Sequence, residues 1–373
     1  MQKISVFILF ILSISGNLFA QEFTQVADGI EHVQFIRKIK DEPVKVNLLR
    51  LDLTKVRLDV VHALDAAIGL ETTSSIASRH GAIAAINAGF FKMDGLYKGD
   101  AAGVLQIDNI TYSESFAGRV ALMISNGTNR TEVFIERTNV THSIKIGKKD
   151  YEIGANRQRG ENDLVLFKPE FHRSTLTNNN GAEFIVRKNK IVQVLDKKGS
   201  SQIPNDGYVI SASGKKREEF LSILKLKTKI EVTISHSSPI NAMPNPSLNQ
   251  VEDIVGGVPQ LIKNGKIEIT WQAEKSSKDF VETRHPRTAV AKLKDSKFLM
   301  VTVDGRQPNV SVGMNLNELA EMLLELGAAD AMNLDGGGST TMFVKDKVVN
   351  LPSDKTGERP VSDAILVFPR RKN

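Results

Sequence analysis

An α+β chain, built on a large mixed but mainly antiparallel sheet with a few packed helices, is the fold class this sequence predicts. Three observations carry it. Alternating apolar segments of strand length outnumber helical ones, and tight polar turns rather than crossover helices join them. Only residues 315–326 combine a long helical stripe with signals at both ends.

The first twenty residues stand apart. Lys3 gives a positive start, residues 4–12 are almost wholly apolar, and residues 13–20 soften toward Ala20 before Gln21. That layout predicts a secretory signal at 1–20, too short and wrongly flanked to span a bilayer. Gln21, rather than a cysteine after the expected cut, excludes lipid attachment at that position. No later stretch has the length and apolarity to cross a membrane. The mature chain is therefore expected to be exported, periplasmic or extracellular, without stable membrane insertion.

Residues 21–69 read as a strand lead-in, with strands at 31–39 and 44–61 broken at Asp41-Glu42-Pro43. From 70 to 370 no repeat or linker divides the chain. Residues 73–80 form a short helix that opens on threonine and serine and stops at Gly81. A buried strand at 82–86 runs into Asn87-Ala88-Gly89-Phe90-Phe91, and residues 92–118 are glycine-rich loop and strand. Residues 119–250 are mostly short strands, with a hairpin of 184–186 and 191–194 around Lys188-Asn189-Lys190. A helix at 215–226 precedes a strand at 229–235, and the three prolines of 238–247 mark a loop. Asn264-Gly265 is a strong two-residue hairpin signal between strands 260–263 and 266–270. A further hairpin pairs 288–293 with 297–304. In the helix at 315–326, Asn315 and Glu318 form a capping-box pattern, Leu316, Leu319, Ala320, Leu323 and Leu324 share one face, and Gly327 is the stop. Strands at 340–344 and 364–368 close the chain.

Composition removes several classes of function. There is no cysteine, so neither disulfides nor thiolate metal sites exist. The net charge of +6 is modest for 373 residues, and Trp271 is the single tryptophan, so a nucleic-acid stacking platform is not expected. No G-x-S-x-G elbow, G-x-x-x-x-G-K-[ST] phosphate loop or H-E-x-x-H occurs, and the histidines lack metal-ligand spacing.

What remains is a set of polar knots where strands end. They are Asn87 to Phe91, Arg284 to Arg287, Asp304 with Arg306, Asn333 to Thr341, and Glu358-Arg359-Pro360. The richest is Asn333-Leu334-Asp335-Gly336-Gly337-Gly338-Ser339-Thr340-Thr341. An acid, three glycines and three hydroxyls in a row suit an oxygen-rich ligand such as a sugar or phosphate. Each knot also has a plainer reading: Asn87 as a turn cap, His285 before Pro286 as a packing residue, Asp304-Gly305 as an ordinary turn. Their shared placement argues for a joint site, since loops over a rigid scaffold carry binding and catalytic groups. Guanidinium groups grip phosphate oxygens bidentately, and Asp335 and Asp304 supply the two carboxylates that glycoside cleavage commonly uses.

These motifs occur in an order that resembles the phosphodiester glycosidase domain family. The resemblance rests on Asn87-Ala88-Gly89-Phe90-Phe91, Val255-Gly256-Gly257-Val258-Pro259-Gln260-Leu261, Arg284-His285-Pro286-Arg287-Thr288-Ala289 and Val303-Asp304-Gly305-Arg306. Glu318-Leu319-Ala320 and the stretch from Asn333 to Thr341 follow, with a weaker match at Ser174-Thr175-Leu176-Thr177-Asn178. It covers roughly residues 70–370. Ala88 stands where the family more usually has glycine, and the cysteines and appended modules of the animal enzyme are missing.

The resemblance implies an exported hydrolase that cleaves a sugar 1-phosphodiester, of the GlcNAc-1-phosphate type, between the anomeric carbon and the phosphate oxygen. Its setting would be glycan or exopolysaccharide metabolism, with a sugar-phosphodiester or phosphoglycan as partner. On that reading Arg287 and Arg306 clamp the departing phosphate, and Asp335 or Asp304 activates water or stabilises the cationic sugar. His285 is a reserve acid or base. Asn87, Asn333, Ser339 and Thr340, with Gly336, Gly337, Gly338 and Arg359, hold sugar hydroxyls or phosphate oxygens. No cofactor is required; a divalent metal between Asp304, Asp335 and the phosphate is compatible with the residues, though no spacing demands one. The competing readings are a non-catalytic envelope or polysaccharide-binding protein on the same fold, and a phosphodiesterase that breaks the P–O bond.

Overall fold

The computed structural model describes residues 22–66, 68–237 and 251–370. The signal expected at 1–20 and the loop at 238–247 lie outside the described residues. Strands make up 47% of the structure and helices 12%, so the chain is predominantly β, beyond the α+β balance read from the sequence.

Among the described residues the strands form four sheets rather than one large one. The eight-stranded sheet runs, in spatial order, Thr24–Ala27, Ile30–Ile39, Glu42–Leu51, Phe298–Val303, Arg287–Leu293, Ala328–Asn333, Gln260–Lys263 and Lys266–Ile267. A five-stranded sheet joins Lys347–Val348, Met342–Val344, Ala84–Asn87, Asp363–Pro369 and Val56–His62. A second five-stranded sheet contains Val120–Asn126 and Asp253–Gly256, and a seven-stranded sheet is built entirely from residues 139–237. One pair in that last sheet, Lys149–Ala155 with Leu164–Phe167, is parallel.

The strand expected at 44–61 divides because of a side chain. Asp52 Oδ1 accepts the Thr54 amide at 3.1 Å and the Thr54 hydroxyl at 2.6 Å, which closes a turn. Glu42–Leu51 then stays in the eight-stranded sheet while Val56–His62 enters the five-stranded one. Asn264 and Gly265 both take positive φ, 49° and 71°, as the two-residue hairpin turn requires, although the second strand stops at Ile267. The helix Leu316–Glu325 carries the capping box read from the sequence: the Glu318 amide donates to Asn315 Oδ1 at 2.9 Å, and the Asn315 amide to Glu318 Oε2 at 3.0 Å.

Two-residue alternation decides where the core lies. On Glu42–Leu51, Val46 and Leu48 face the helix Leu316–Glu325, where they meet Leu319, Ala320 and Leu323. Leu49 and Leu51 face the other way, into a core shared with Leu58, Ile86, Leu122, Met332 and Ile365 from three sheets. The eight-stranded sheet is thus buried on both faces. Such a scaffold holds the ends of its strands rigidly.

Candidate active site

Register brings the polar knots to one edge. In the eight-stranded sheet Arg287 pairs with Val303 and Ala289 with Asn333, so one strand start and two strand ends lie side by side. In the five-stranded sheet Ala364 pairs with Asn87 and Asp363 with His62. The two edges are tied together by hydrogen bonds. The Asp335 amide donates to Ala88 O at 3.0 Å and the Thr288 hydroxyl to Asn87 Oδ1 at 2.8 Å.

Four of the expected site residues are turned into the protein. Asn87 is fully buried; its Nδ2 donates to Asp335 O at 2.7 Å, while its Oδ1 accepts from the Thr288 hydroxyl at 2.8 Å and the Thr341 amide at 3.1 Å. Asn333 donates to the Val258 and Leu334 carbonyls, both at 2.8 Å. Asp304 Oδ1 accepts from Asn350 Nδ2 at 3.2 Å and the Leu351 amide at 3.0 Å, and burial holds this carboxyl above its ordinary value. These three side chains fasten loops, which suits a framework role better than contact with a sugar.

Arg287 differs most from its expected place at the phosphate. It is 1% exposed, and it donates to the carbonyls of Met314 at 2.9 Å and of Phe280 and Thr283 at 2.8 Å. Its guanidinium also lies 4.9 Å from the Phe280 ring centre, and burial pushes it down to about 10. An arginine spent on three main-chain carbonyls holds the segment 280–314 in place. Arg287→Ala is expected to cost about 3 kcal/mol or more of stability, because those buried acceptors lose their donors. Urea unfolding would show it as a fall in the midpoint. Arg284, which opens the same polar knot, pairs with Glu318 and Glu42, both at 2.7 Å.

The groups that do converge sit around Asp335 and the glycine turn. After Asp335 the chain makes a tight 3-10 turn at Gly337–Ser339 before the strand Met342–Val344 begins, two residues later than the sequence suggested. Gly337 takes φ 61°, and a side chain there would meet the Arg306 guanidinium at 3.1 Å. A side chain at Gly338 would collide with the Arg359 guanidinium. The glycines therefore make room for two arginines against one turn. Arg306 is exposed and itself in the left-handed region, at φ 61°. Arg359 is braced by Asp354 at 2.6 Å. His285 Nδ1 lies 3.3 Å from Arg306 Nη2. Burial first, then Arg287 and Arg306, hold His285 below its ordinary value, so the neutral ring accepts from Arg306 and helps to aim it.

Asp335 keeps partial contact with water, yet protein surrounds it on every side. Burial pushes its carboxyl up to about 7; Ser339 and Arg359 pull it down and Asp363 pushes it up. The Ser339 hydroxyl faces that carboxyl without completing a hydrogen bond, and the Thr340 and Thr341 hydroxyls are also buried without partners. Unsatisfied hydroxyls beside a glycine turn suit a ligand rich in oxygen.

The second carboxyl acting on Asp335 is Asp363, which sequence reading missed. Asp363 Oδ1 accepts the Gly89 amide at 2.5 Å, and Oδ2 accepts the Ser362 hydroxyl at 2.5 Å. Burial raises it, and His62, its partner across the strand pair, lowers it. The available signal was an acid opening an otherwise apolar strand, Asp363–Pro369. Among the described residues no cluster of three or more histidine, cysteine or acidic side chains is placed to hold a metal ion.

A cavity of about 730 Å³ lies away from this edge on the seven-stranded sheet, between Val192, Leu195, Gln202 and Ile203. Of its charged groups Arg187 and Asp206 pair with one another at 3.0 Å and are half exposed, and the buried Ser201 hydroxyl also lines it.

The chain is 25% identical over 235 residues to an uncharacterized protein of Rickettsia conorii, covering 61% of this chain and 77% of that one. It is 29% identical over 161 residues to the N-acetylglucosamine-1-phosphodiester alpha-N-acetylglucosaminidase of Mus musculus, 41% of this chain and 30% of that enzyme. The chain thus spans less than a third of the mouse enzyme's length. A crystal structure of a hypothetical protein from Synechocystis shares the fold, with a TM-score of 0.81 at 23% identity over 94% of this chain and 64% of that one. The model of the phosphodiester glycosidase family matches residues 180–368, a span that holds Arg306, the turn after Asp335, Arg359 and Asp363. Half of the 373 residues, and with them nearly every group at this edge, fall under that model: the chain belongs to the phosphodiester glycosidase family.

Proposed function

We propose that this chain is an exported hydrolase that cleaves a sugar 1-phosphodiester between the anomeric carbon and the phosphate oxygen. The single observation that carries the reading is the pair of guanidiniums, Arg306 and Arg359, packed against the turn that follows a carboxyl titrating at about 7. The residues after the turn and the expected signal at 1–20 agree with an oxygen-rich substrate met outside the cytoplasm, a phosphoglycan in glycan or exopolysaccharide metabolism.

The chemistry follows from the leaving group. A phosphate monoester has a second pKa near ~6, so it departs largely without protonation. The demand is for charge stabilisation, which two arginines fixed beforehand supply without reorganising. Water attacks the anomeric carbon, the bond from that carbon to the phosphate oxygen breaks, and the electron pair leaves with the phosphate. Ionised Asp335 takes the proton of the water. His285 positions Arg306, and burial first, with Asp363 adding to it, raises the Asp335 carboxyl. Asn87, Asn333 and Asp304 hold the strand ends in register.

Hydrolysis of an α-GlcNAc-1-phosphodiester in isotope-labelled water tests the reading. Release of sugar carrying the label is the expected result. Label in the phosphate would mean P–O cleavage, and no release from a panel of sugar 1-phosphodiesters would leave a binding protein on the same fold.

A further inference from the structure

We propose that the pocket between loop 92–101 and the seven-stranded sheet binds one pyranose ring. Assigning that ring to the substrate rests on the phosphodiester glycosidase reading; the binding itself does not.

The loop grows directly out of the active-site edge. Phe91 pairs with Ala101, and the Ala102 amide donates to Phe90 O at 2.7 Å, closing the loop just beyond Ala88, which holds the Asp335 amide. At its far side the Tyr97 hydroxyl donates to Leu176 O at 3.0 Å, which latches the loop onto the seven-stranded sheet. Between them lies a cavity of about 200 Å³. That is below the ~300–1,000 Å³ of a drug-sized site, so it suits a ligand of about one ring.

The lining has both the apolar and the polar groups that a pyranose ring needs. Tyr97 and Leu96 give an apolar surface for the C–H face, and Leu96 is 74% exposed with nothing covering it. Arg159, Asn178 and Gln158 line the same cavity and bring polar groups for hydroxyls. Arg159 is 9% exposed and donates to Ser211 Oγ at 2.6 Å, Asn178 O at 3.0 Å and Asn178 Oδ1 at 2.9 Å. All three partners are neutral, and burial lowers its pKa. Behind it, fully buried Glu183 accepts from the Thr175 and Thr177 hydroxyls at 2.7 Å, from Ser211 Oγ at 3.0 Å and from the Ser201 amide at 2.9 Å. A wall fixed by that many bonds loses little freedom when a ligand arrives, which is what makes a small site bind.

The test titrates the full chain with free pyranoses (N-acetylglucosamine, glucose, mannose and glucuronate), read by saturation-transfer NMR or calorimetry. The comparison is a Leu96→Ala/Gln158→Ala double variant, since both side chains are exposed and make no framework contact used above. Saturable binding of at least one pyranose, weakened tenfold or more in the variant at unchanged melting temperature, is the expected result. No binding to the parent chain, or equal binding to both proteins, would overturn the proposal. Hydrolysis separates it from the reading it deepens. A parent chain that binds sugar but cleaves no sugar 1-phosphodiester sinks the proposed function alone. Cleavage with the same KM in parent and variant sinks the pocket's part in it.

Discussion

Asp335→Asn is expected to lower kcat toward a sugar 1-phosphodiester by roughly a hundred- to ten-thousand-fold, the usual range for losing a positioned general base. In the parent chain kcat/KM should rise with pH and level off above about 7, where the Asp335 carboxyl becomes ionised. The variant should lack that limb. Stability gives a second reading with the opposite sign. The carboxyl titrates at about 7 in the folded chain, against roughly 3.9 for an aspartate in an unfolded one. Between those values the folded protein keeps a proton that the unfolded chain has released. The contribution of this group to stability is therefore fully present below about pH 4 and is lost as pH rises through 7. Removing the charge should make Asp335→Asn more stable than the parent at pH 8, by on the order of 2 kcal/mol after allowing for its partial contact with water. At pH 4 the gap should close. Urea unfolding of both proteins at the two pH values checks this, and subtracting parent from variant cancels raised carboxyls that do not act on Asp335, such as Asp100 and Asp253. A variant less stable at pH 8, or a flat pH profile in the parent, would remove Asp335 from the role of base.

Loss of either turn arginine should be nearly as severe. Arg306→Ala and Arg359→Ala are each expected to cost roughly a hundred-fold in kcat/KM, the order seen when one donor to a developing charge is removed. Competitive inhibition by inorganic phosphate should weaken at least tenfold in both. Arg306→Lys should recover little, because an ammonium is a point charge and cannot present two parallel donors. Arg359 also holds Asp354 at 2.6 Å, so Asp354→Asn serves as the control for loop placement. It should leave phosphate inhibition within a few-fold of the parent. Unchanged inhibition in Arg306→Ala and Arg359→Ala together would place the phosphate elsewhere.

The contrast between Arg287 and Arg306 shows where sequence reading stops. Both follow a strand boundary in a strong motif, and both were expected at the phosphate. Arg306 sits on a left-handed residue outside the sheet, exposed beside the glycine turn. Arg287 opens a central strand, and its long side chain folds back into the carbonyls left by the segments 278–283 and 314–315. A guanidinium reaches far enough to serve either end, and its partners come from residues that only packing assembles. Asp304 and Asp335 differ in the same way: the first fastens Asn350 and Leu351, the second faces Ser339, Arg359 and Asp363.

What the sequence determined by itself is local. Alternation, turn residues and the Asn315 cap depend on neighbours a few positions away, so strand ends, hairpins and helices were legible, as was the clustering of polar residues at strand ends. A turn made by one aspartate, Asp52, already escaped that reading, because its effect was to send the next strand into a different sheet. Tertiary structure decided the rest: four sheets in place of one, Asp363 as the second carboxyl, and Arg359 over Gly338. Each is a relation between residues far apart in the chain. Long-range strand pairing and burial create it, and burial is the largest of the causes that bring the Asp335 carboxyl to about 7.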